Sequence, residues 1–163
     1  MKMLVVYDSF FGNTATIAKL IAESMGTADE VKAVRVVDLR PEHLDNLELL
    51  VVGSPTRSWR PSASVMIFVQ DLKRSQLEKL YVTTFDTRID LNTIKSKFTR
   101  SLIGRGGYAA KKILKKMVKK GGKPIVEPMG FLVDGTEGPL HEGEKNHAMN
   151  WGKKIREAYD TKP

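Results

Sequence analysis

The stretch MLVVYDSFFGNTAT, from Met3 to Thr16, decides how the rest of the chain is interpreted. Apolar residues that suit a buried strand run as far as Tyr7, a polar turn with a glycine covers Asp8 to Asn13, and a helical pattern follows. A turn of this kind leaves unpaired backbone N–H groups at a helix N-terminus, where the helix dipole adds positive charge. A phosphate monoester satisfies both features at once, so the stretch predicts an anion site.

Length and composition indicate one globular domain covering residues 1–163. The chain has 163 residues, of which 41% are hydrophobic, which is enough for a core that folds alone. No apolar run approaches the roughly 18 residues of a membrane helix, and the apolar start is too short for a secretory signal, so we expect a cytoplasmic protein without membrane contact. The absence of cysteine excludes disulfides, thiolate metal sites and cysteine nucleophiles.

One segment makes the chain basic. Residues Lys95 to Lys123 hold 11 Lys or Arg and no Asp or Glu, within a chain of net charge +8. Such a segment is a solvated helix face, a weak and non-specific contact for nucleic acid, or a surface that steers an acidic protein partner. Aromatic residues are sparse in it, which disfavours specific binding of nucleic acid.

Apolar periodicity predicts strands and helices in alternation. We expect strands at 3–7, 31–39, 47–53, 80–85 and 123–133, the last interrupted by Pro128 and Gly130 and therefore an edge strand. Helices are expected at 14–25, 62–72, 107–120 and 139–159, with a helical turn at 40–43. The polar stretch from Asp86 to Arg105 predicts a long functional loop. This order indicates a doubly wound α/β fold, a three-layer sandwich around a five-stranded parallel sheet.

In such sheets, ligands bind at the carboxyl ends of the strands where the strand order reverses. The turns that reach this edge begin at Asp8, Ser54 and Asp86. With Ser9, Gly12, Asn13 and Thr14 in place, the first turn resembles the phosphate loop of flavodoxins, Ser/Thr-x-Thr-Gly-x-Thr. The flavodoxin fold is itself a standard example of this rule. Phe10 and Phe11 stand where hydroxyl side chains are common, so backbone N–H groups would contribute more of the phosphate binding.

The resemblance implies FMN as the cofactor and two further loops around it. The second would comprise Pro55, Thr56, Arg57, Ser58 and Trp59, with Trp59 as the ring expected to stack on the flavin. The third would comprise Phe85, Asp86, Thr87 and Arg88, although it lacks the family's Gly-x-Gly-Asp-like turn. Flavodoxins are acidic around the flavin, whereas Arg57, Arg60 and Arg88 would favour an anionic reduced flavin. We therefore expect a second reduction step at a less negative potential than is usual in the family.

The resemblance implies an electron-transfer protein that shuttles electrons between redox partner proteins, the basic segment favouring partners with an acidic docking face. No residue stands out as an acid, base or nucleophile, so an electron carrier is favoured over an enzyme, and a flavin-dependent oxidoreductase is left open. The alternative function is an FMN-free binding module that uses the segment Lys95 to Lys123 for an acidic protein or nucleic acid.

Two other patterns compete weakly. Residues 104–109, Gly-Arg-Gly-Gly-Tyr-Ala, followed by Glu127 imitate a dinucleotide fingerprint, but no buried strand precedes them. His141, Glu142, Glu144 and His147 do not place two imidazoles on one helix face, so we expect a solvated helix start and no metal site.

Overall fold

The first strand, β1 (Met3–Tyr7), is buried over its whole length because its side chains alternate between two cores. Met3 and Val5 point into one apolar cluster, whereas Leu4 and Val6 point into another. The computed structural model describes residues 2–90, 97 and 108–162. A strand buried on both faces requires helices on both sides of its sheet.

The described residues form five α-helices and two 3₁₀ turns in addition to the strands. The helices are α1 (Asn13–Met25), α2 (Ala63–Asp71), α3 (Arg74–Leu77), α4 (Ala109–Lys119) and α5 (Glu144–Asp160), and the 3₁₀ turns are Val36–Asp38 and Pro41–Leu44. The other strands are β2 (Val31–Arg35), β3 (Leu49–Pro55), β4 (Tyr81–Ile89), β5 (Lys123–Pro124) and β6 (Met129–Val133). Across this part of the chain, no helix has both the length and the hydropathy needed to cross a membrane.

The strands form one parallel sheet in the order β2-β1-β3-β4-β5, with β6 also paired to β4. Helices α1 and α5 pack on one face of this sheet, and their side chains share a core with Phe85 and Phe131. Helices α2 and α4 pack on the other face. The predicted three-layer, doubly wound α/β sandwich is confirmed.

Apart from shifts of one or two residues at strand ends, three strands differ from the prediction. The second ends at Arg35, and the 3₁₀ turn Val36–Asp38 replaces the rest of the strand expected up to residue 39. The fourth strand continues through Asp86, Thr87 and Arg88 to Ile89, paired with β3 on one side and β6 on the other, so the expected turn at Asp86 is wrong. Its polar side chains are satisfied within the fold, which is why polar residues can continue a central strand. The fifth strand is divided into β5 and β6, which lie in series along the same edge of β4.

An ionic network closes the amino end of the sheet. The Tyr159 hydroxyl of α5 donates to Glu48 Oε2 over 2.6 Å, and Lys2 Nζ lies 3.1 Å from Glu48 Oε1. Burial, followed by the hydrogen bond to Glu48, raises the pKa of Tyr159 to about 12. The same hydrogen bond, assisted by Lys2, lowers the pKa of Glu48. The network therefore joins the C-terminal helix to the start of β3.

Replacing Tyr159 with phenylalanine removes the hydrogen bond to Glu48 and should lower the free energy of unfolding by about 1 kcal/mol at neutral pH. The loss should be no larger because solvent screens the partly exposed Glu48. A raised tyrosine pKa contributes stability below the ordinary pKa of 10 that disappears as the pH rises towards about 12. The difference between wild type and Tyr159→Phe should therefore shrink over that range. Urea unfolding at about pH 7 and pH 11 measures it. Tyr81→Phe is the control, and an equal effect there would contradict the prediction.

Candidate functional site

A cavity of about 280 Å³ opens at the carboxyl edge of the central strands, where the turn after β1 meets the loop after β3. The ends of β4 and β6 and the loop after β6 form the rest of its wall. Its volume is near the lower end of the range for ligand sites, about 300–1,000 Å³. The lining residues are Ser9, Phe10, Phe11, Asn13, Thr14, Pro55, Thr56, Arg57, Ser58, Thr87, Ile89, Val133, Gly135 and Thr136.

All residues of the first loop, Ser9 to Thr14, except Gly12 line this cavity. Ser9 Oγ accepts the N–H groups of Gly12 over 3.1 Å and Ala15 over 3.3 Å. Among the described residues, nothing accepts the N–H groups of Phe10, Phe11, Asn13 and Thr14. Gly12 caps α1 at a φ of 90°, in the left-handed region that favours glycine. The loop therefore collects free N–H groups at the positive end of α1.

Arg35, the last residue of β2, and Asp8, which follows β1, hold the base of the first loop. Arg35 Nη2, from the end of β2, donates to the Ser9 carbonyl over 2.8 Å and lies 3.4 Å from Asp8 Oδ1. The buried Asp8 carboxylate also accepts the Ser9 N–H over 2.8 Å. These contacts fix the direction in which the loop leaves the sheet.

Two other contacts tie the first loop to the far side of the cavity. Thr14 Oγ1 and Thr87 Oγ1 lie 2.8 Å apart, both buried, which connects α1 to β4. Asn13 Nδ2 donates to the Glu137 carbonyl over 2.9 Å, which connects α1 to the loop after β6. A Cβ on Gly138 would collide with the Asn13 side chain, so glycine is needed there for this close approach. Hydrogen bonds thus link the start of α1 to both β4 and the loop after β6 on the far side of the cavity.

The second loop folds into a tight turn between Arg57 and Arg60. The two residues exchange backbone hydrogen bonds of 3.0 and 2.9 Å. Ser58 and Trp59 between them have φ values of 46° and 63°, a left-handed conformation that costs on the order of 1–3 kcal/mol per non-glycine residue. Such a conformation persists only where neighbouring contacts hold it.

Helix α4 supplies those contacts. Lys112 Nζ donates to the Trp59 carbonyl over 2.7 Å, and the Ala109 N–H donates to Thr56 Oγ1 over 3.2 Å. The Trp59 ring packs edge-on against Tyr108, with ring centroids 6.3 Å apart. Trp59, the residue expected to stack on the flavin, thus lies against the start of α4 rather than among the residues that line the cavity.

Asp86 and Arg88 form a buried ion pair under the second loop. Arg88 Nη2 donates to Asp86 Oδ2 over 2.8 Å, and the same carboxylate oxygen accepts the Ala110 N–H over 2.8 Å. The Arg88 guanidinium stacks on Tyr108, 3.6 Å from the ring centroid. Burial raises the pKa of Asp86, while Arg88 and the Ala110 N–H act in the opposite direction. The pair anchors α4 to the sheet.

Not every predicted site residue faces the cavity. Gly12, Trp59, Phe85, Asp86 and Arg88 are not lining residues, and Phe85 is fully buried against Phe131 and Trp151. The sequence prediction missed Ile89, Val133, Gly135 and Thr136. Gly135 and Thr136 could have been predicted from the sequence, because the glycine-containing loop after the last parallel strand must reach the same edge of the sheet as the other loops.

One arginine determines the charge of the cavity lining. Arg57 is the sole charged residue among the described lining residues, and no ion pair involves it in this part of the chain. Arg88 is compensated by Asp86, and Arg60 lies outside the lining. Of the three arginines expected to favour an anionic reduced flavin, only Arg57 therefore faces the cavity. The less negative potential stays a prediction.

The donor set fits a flavin mononucleotide. The lining residues of the first loop carry free N–H groups and the Ser9 hydroxyl, donors that match a phosphate monoester. Pro55, Ile89 and Val133 supply apolar surface of the kind that suits an aromatic ring system. Nothing lies within 4 Å of a Cβ built on Gly12, so the space beside the loop is open.

The two competing sequence patterns are a histidine and glutamate cluster and a dinucleotide-like motif, and most of the latter lies outside the described residues. His147 Nδ1 lies 3.0 Å from Glu144 Oε2, and His141 Nε2 lies 2.7 Å from Asp134 Oδ1, so the two imidazoles have separate carboxylate partners. Residues 104–107 of the dinucleotide-like pattern are not described, nor is most of the expected loop up to Arg105.

Comparison with known proteins places the chain in a family. The family model of the flavodoxin domain matches residues 4–122. No curated protein matches the sequence. A flavodoxin from the domain Archaea superposes with a TM-score of 0.72 at 21% identity, with 98% of this chain and 99% of that chain covered. Oxidised flavodoxin 2 from Bacillus cereus gives 0.71 at 20% identity, with 96% and 99% covered. Two-electron reduced Megasphaera elsdenii flavodoxin gives 0.66 at 18% identity, with 95% and 98% covered.

Proposed function

The chain belongs to the flavodoxin domain family, and we propose that it binds FMN non-covalently and carries electrons between redox partner proteins. One observation carries the proposal: four residues whose backbone N–H groups have no acceptor in the described part of the chain line a cavity whose lining includes an arginine without a carboxylate partner. Positive potential and unpaired donors at a helix N-terminus are what a phosphate monoester requires.

The first loop would hold the phosphate of FMN through its N–H groups and the Ser9 hydroxyl. The apolar residues Pro55, Ile89 and Val133 would contact its less polar parts, since they line the same cavity. When bound, FMN would supply the electron-accepting and electron-donating chemistry. The residues of this chain would bind it, orient it and set its electrostatic surroundings, and we assign none of them a role as acid, base or nucleophile.

The exposed face of α4 is the proposed docking surface for a redox partner. Lys111, Lys115 and Lys119 follow one another at intervals of four residues, so they share one exposed face of the helix. Lys112, by contrast, is held by the Trp59 carbonyl. No Asp or Glu occurs in α4 to offset this row. The partner that fits it is a protein with an acidic docking face.

Titration of the purified protein with FMN tests the proposal. We expect absorbance near roughly 450 nm in the purified protein, or quenching of FMN fluorescence on titration. An absence of binding at high FMN concentration would contradict it. In that case, salt-sensitive binding of an acidic protein or nucleic acid would identify the FMN-free module as the better description.

Phe11→Thr should tighten the binding of FMN by about 1–2 kcal/mol, because it restores a hydroxyl donor beside the phosphate. The Phe11 side chain is 46% exposed, so its removal should leave the fold intact. Fluorescence titration of both proteins measures the ratio of their dissociation constants. Weaker binding in the variant would show instead that the Phe11 ring holds the cofactor, and Ile67→Thr, an exposed change on α2, is the control.

A further inference from the structure

Arg57 belongs to the second loop, but its side chain reaches the first. The guanidinium carbon lies 5.0 Å from the centroid of the Phe10 ring and 5.8 Å from that of Phe11. These distances are within the range of cation–π contacts. The side chain therefore lines the cavity and ends beside the loop that carries the free N–H groups.

Arg57 contacts aromatic rings but has no carboxylate partner among the described residues. The neighbouring arginines have carboxylate partners: Arg35 lies beside Asp8, and Arg88 beside Asp86. Arg57 has no such partner among the described residues, and no Asp or Glu is among those that line the cavity. A guanidinium binds phosphate in a bidentate manner and is less strongly hydrated than an ammonium group. An anion in the cavity would be its natural partner.

The backbone that presents Arg57 is held in place. The Thr56 N–H donates to the Thr87 carbonyl over 2.8 Å, and the turn to Arg60 is closed by its two backbone hydrogen bonds. Lys112 holds the Trp59 carbonyl on the outer side. Only the Arg57 side chain would therefore have to be ordered when an anion binds, which reduces the entropic cost of binding.

We propose that Arg57 supplies a charge-assisted contact to the phosphate of FMN and makes the site select FMN over riboflavin. The phenyl rings of Phe10 and Phe11 cannot donate hydrogen bonds, so the first loop contributes fewer side-chain donors than the flavodoxin loop that it resembles. Arg57, whose backbone belongs to the second loop, offers guanidinium donors beside the first loop, where those side-chain donors are lacking. This inference rests on the proposed function.

Paired titrations with FMN and riboflavin test the role, since the two ligands differ only in the phosphate. Arg57→Gln should weaken FMN binding about 10- to 100-fold, the range for a hydrogen bond to a charged group. Riboflavin binding should change by less than about threefold, because no phosphate contact is lost. The FMN affinity of Arg57→Lys, which keeps the charge without the planar fork, should lie between those of wild type and Arg57→Gln.

Arg60→Gln is the matched control, because it removes the same charge from the same turn at a residue outside the cavity lining. It should leave the ratio of FMN to riboflavin affinity unchanged. Inorganic phosphate should compete with FMN for the wild-type protein and less effectively for Arg57→Gln. Thermal unfolding of the FMN-free variants should match wild type, since the Arg57 side chain is exposed.

The outcomes separate this inference from the proposed function. If wild type binds FMN but Arg57→Gln loses FMN and riboflavin affinity equally, Arg57 supports the ring or the loop and the phosphate role is wrong. If Arg57→Gln binds both ligands as wild type does, the role is also wrong, while FMN binding stands. If wild type binds neither ligand, both proposals fail together.

Discussion

Replacing Phe85 with alanine should lower the free energy of unfolding by about 3–5 kcal/mol, the range for large aromatic residues removed from a core. Phe85 is fully buried at the centre of the sheet, and its ring packs edge-on against Phe131 and Trp151 at centroid distances of 6.0 and 6.2 Å. On its other side the ring covers Gly53 of β3 so closely that a Cβ on Gly53 would overlap it. The surrounding strands are too constrained to fill the space that the ring would leave.

Urea unfolding of the FMN-free protein measures this change, and Phe11→Ala is its matched control. The control removes the same ring from a side chain that is 46% exposed, so its effect should stay within about 0.5 kcal/mol. Similar losses in the two variants would contradict the burial assigned to Phe85.

Replacing Asp86 with alanine should cost about 3–5 kcal/mol, because it leaves the Arg88 guanidinium in the protein interior without its counter-charge. The Arg88 side chain is only 17% exposed, and that of Asp86 is fully buried. The Ala110 N–H at the start of α4 would lose its acceptor as well. The double variant Asp86→Ala/Arg88→Ala should lose less than the sum of the two single variants, since no unpaired charge remains.

The same measurement on an exposed ion pair provides the comparison. Arg74 Nε and Glu78 Oε1 lie 2.6 Å apart, but their side chains are 73% and 50% exposed. Glu78→Ala should change the free energy of unfolding by less than about 1 kcal/mol. Additive losses in the Asp86 and Arg88 cycle would show that the two groups do not depend on each other.

The order of strands and helices could be predicted from the sequence because apolar runs and their periods are local properties. The run Leu49 to Val52 is apolar throughout because both faces of the strand are covered, and this pattern is visible in the sequence alone. The continuation of β4 through Asp86 could not be predicted in the same way. A polar residue after an apolar run is typical of a turn, and only the folded chain shows that Arg88 and Ala110 satisfy its carboxylate.

The candidate site could be predicted where it follows the chain closely. Ser9 to Thr14 and Pro55 to Ser58 lie at the ends of strands that the sequence marks clearly, and nearly all of these residues line the cavity. Trp59 could not be placed, because its direction depends on Lys112 and Tyr108, about fifty residues further along the chain. Gly135 and Thr136 reach the cavity only through the parallel pairing of β6 with β4.

The closed turn between Arg57 and Arg60 also bears on proteolysis. Trypsin-like proteases cleave after arginine, and the bond between Arg57 and Ser58 is exposed. Cleavage requires local opening of the chain, which here means breaking both backbone hydrogen bonds of the turn and releasing Trp59 from Lys112. We therefore expect the contact from α4 to slow cleavage of the bond between Arg57 and Ser58. The rate of that cleavage would report how often the second loop detaches from α4.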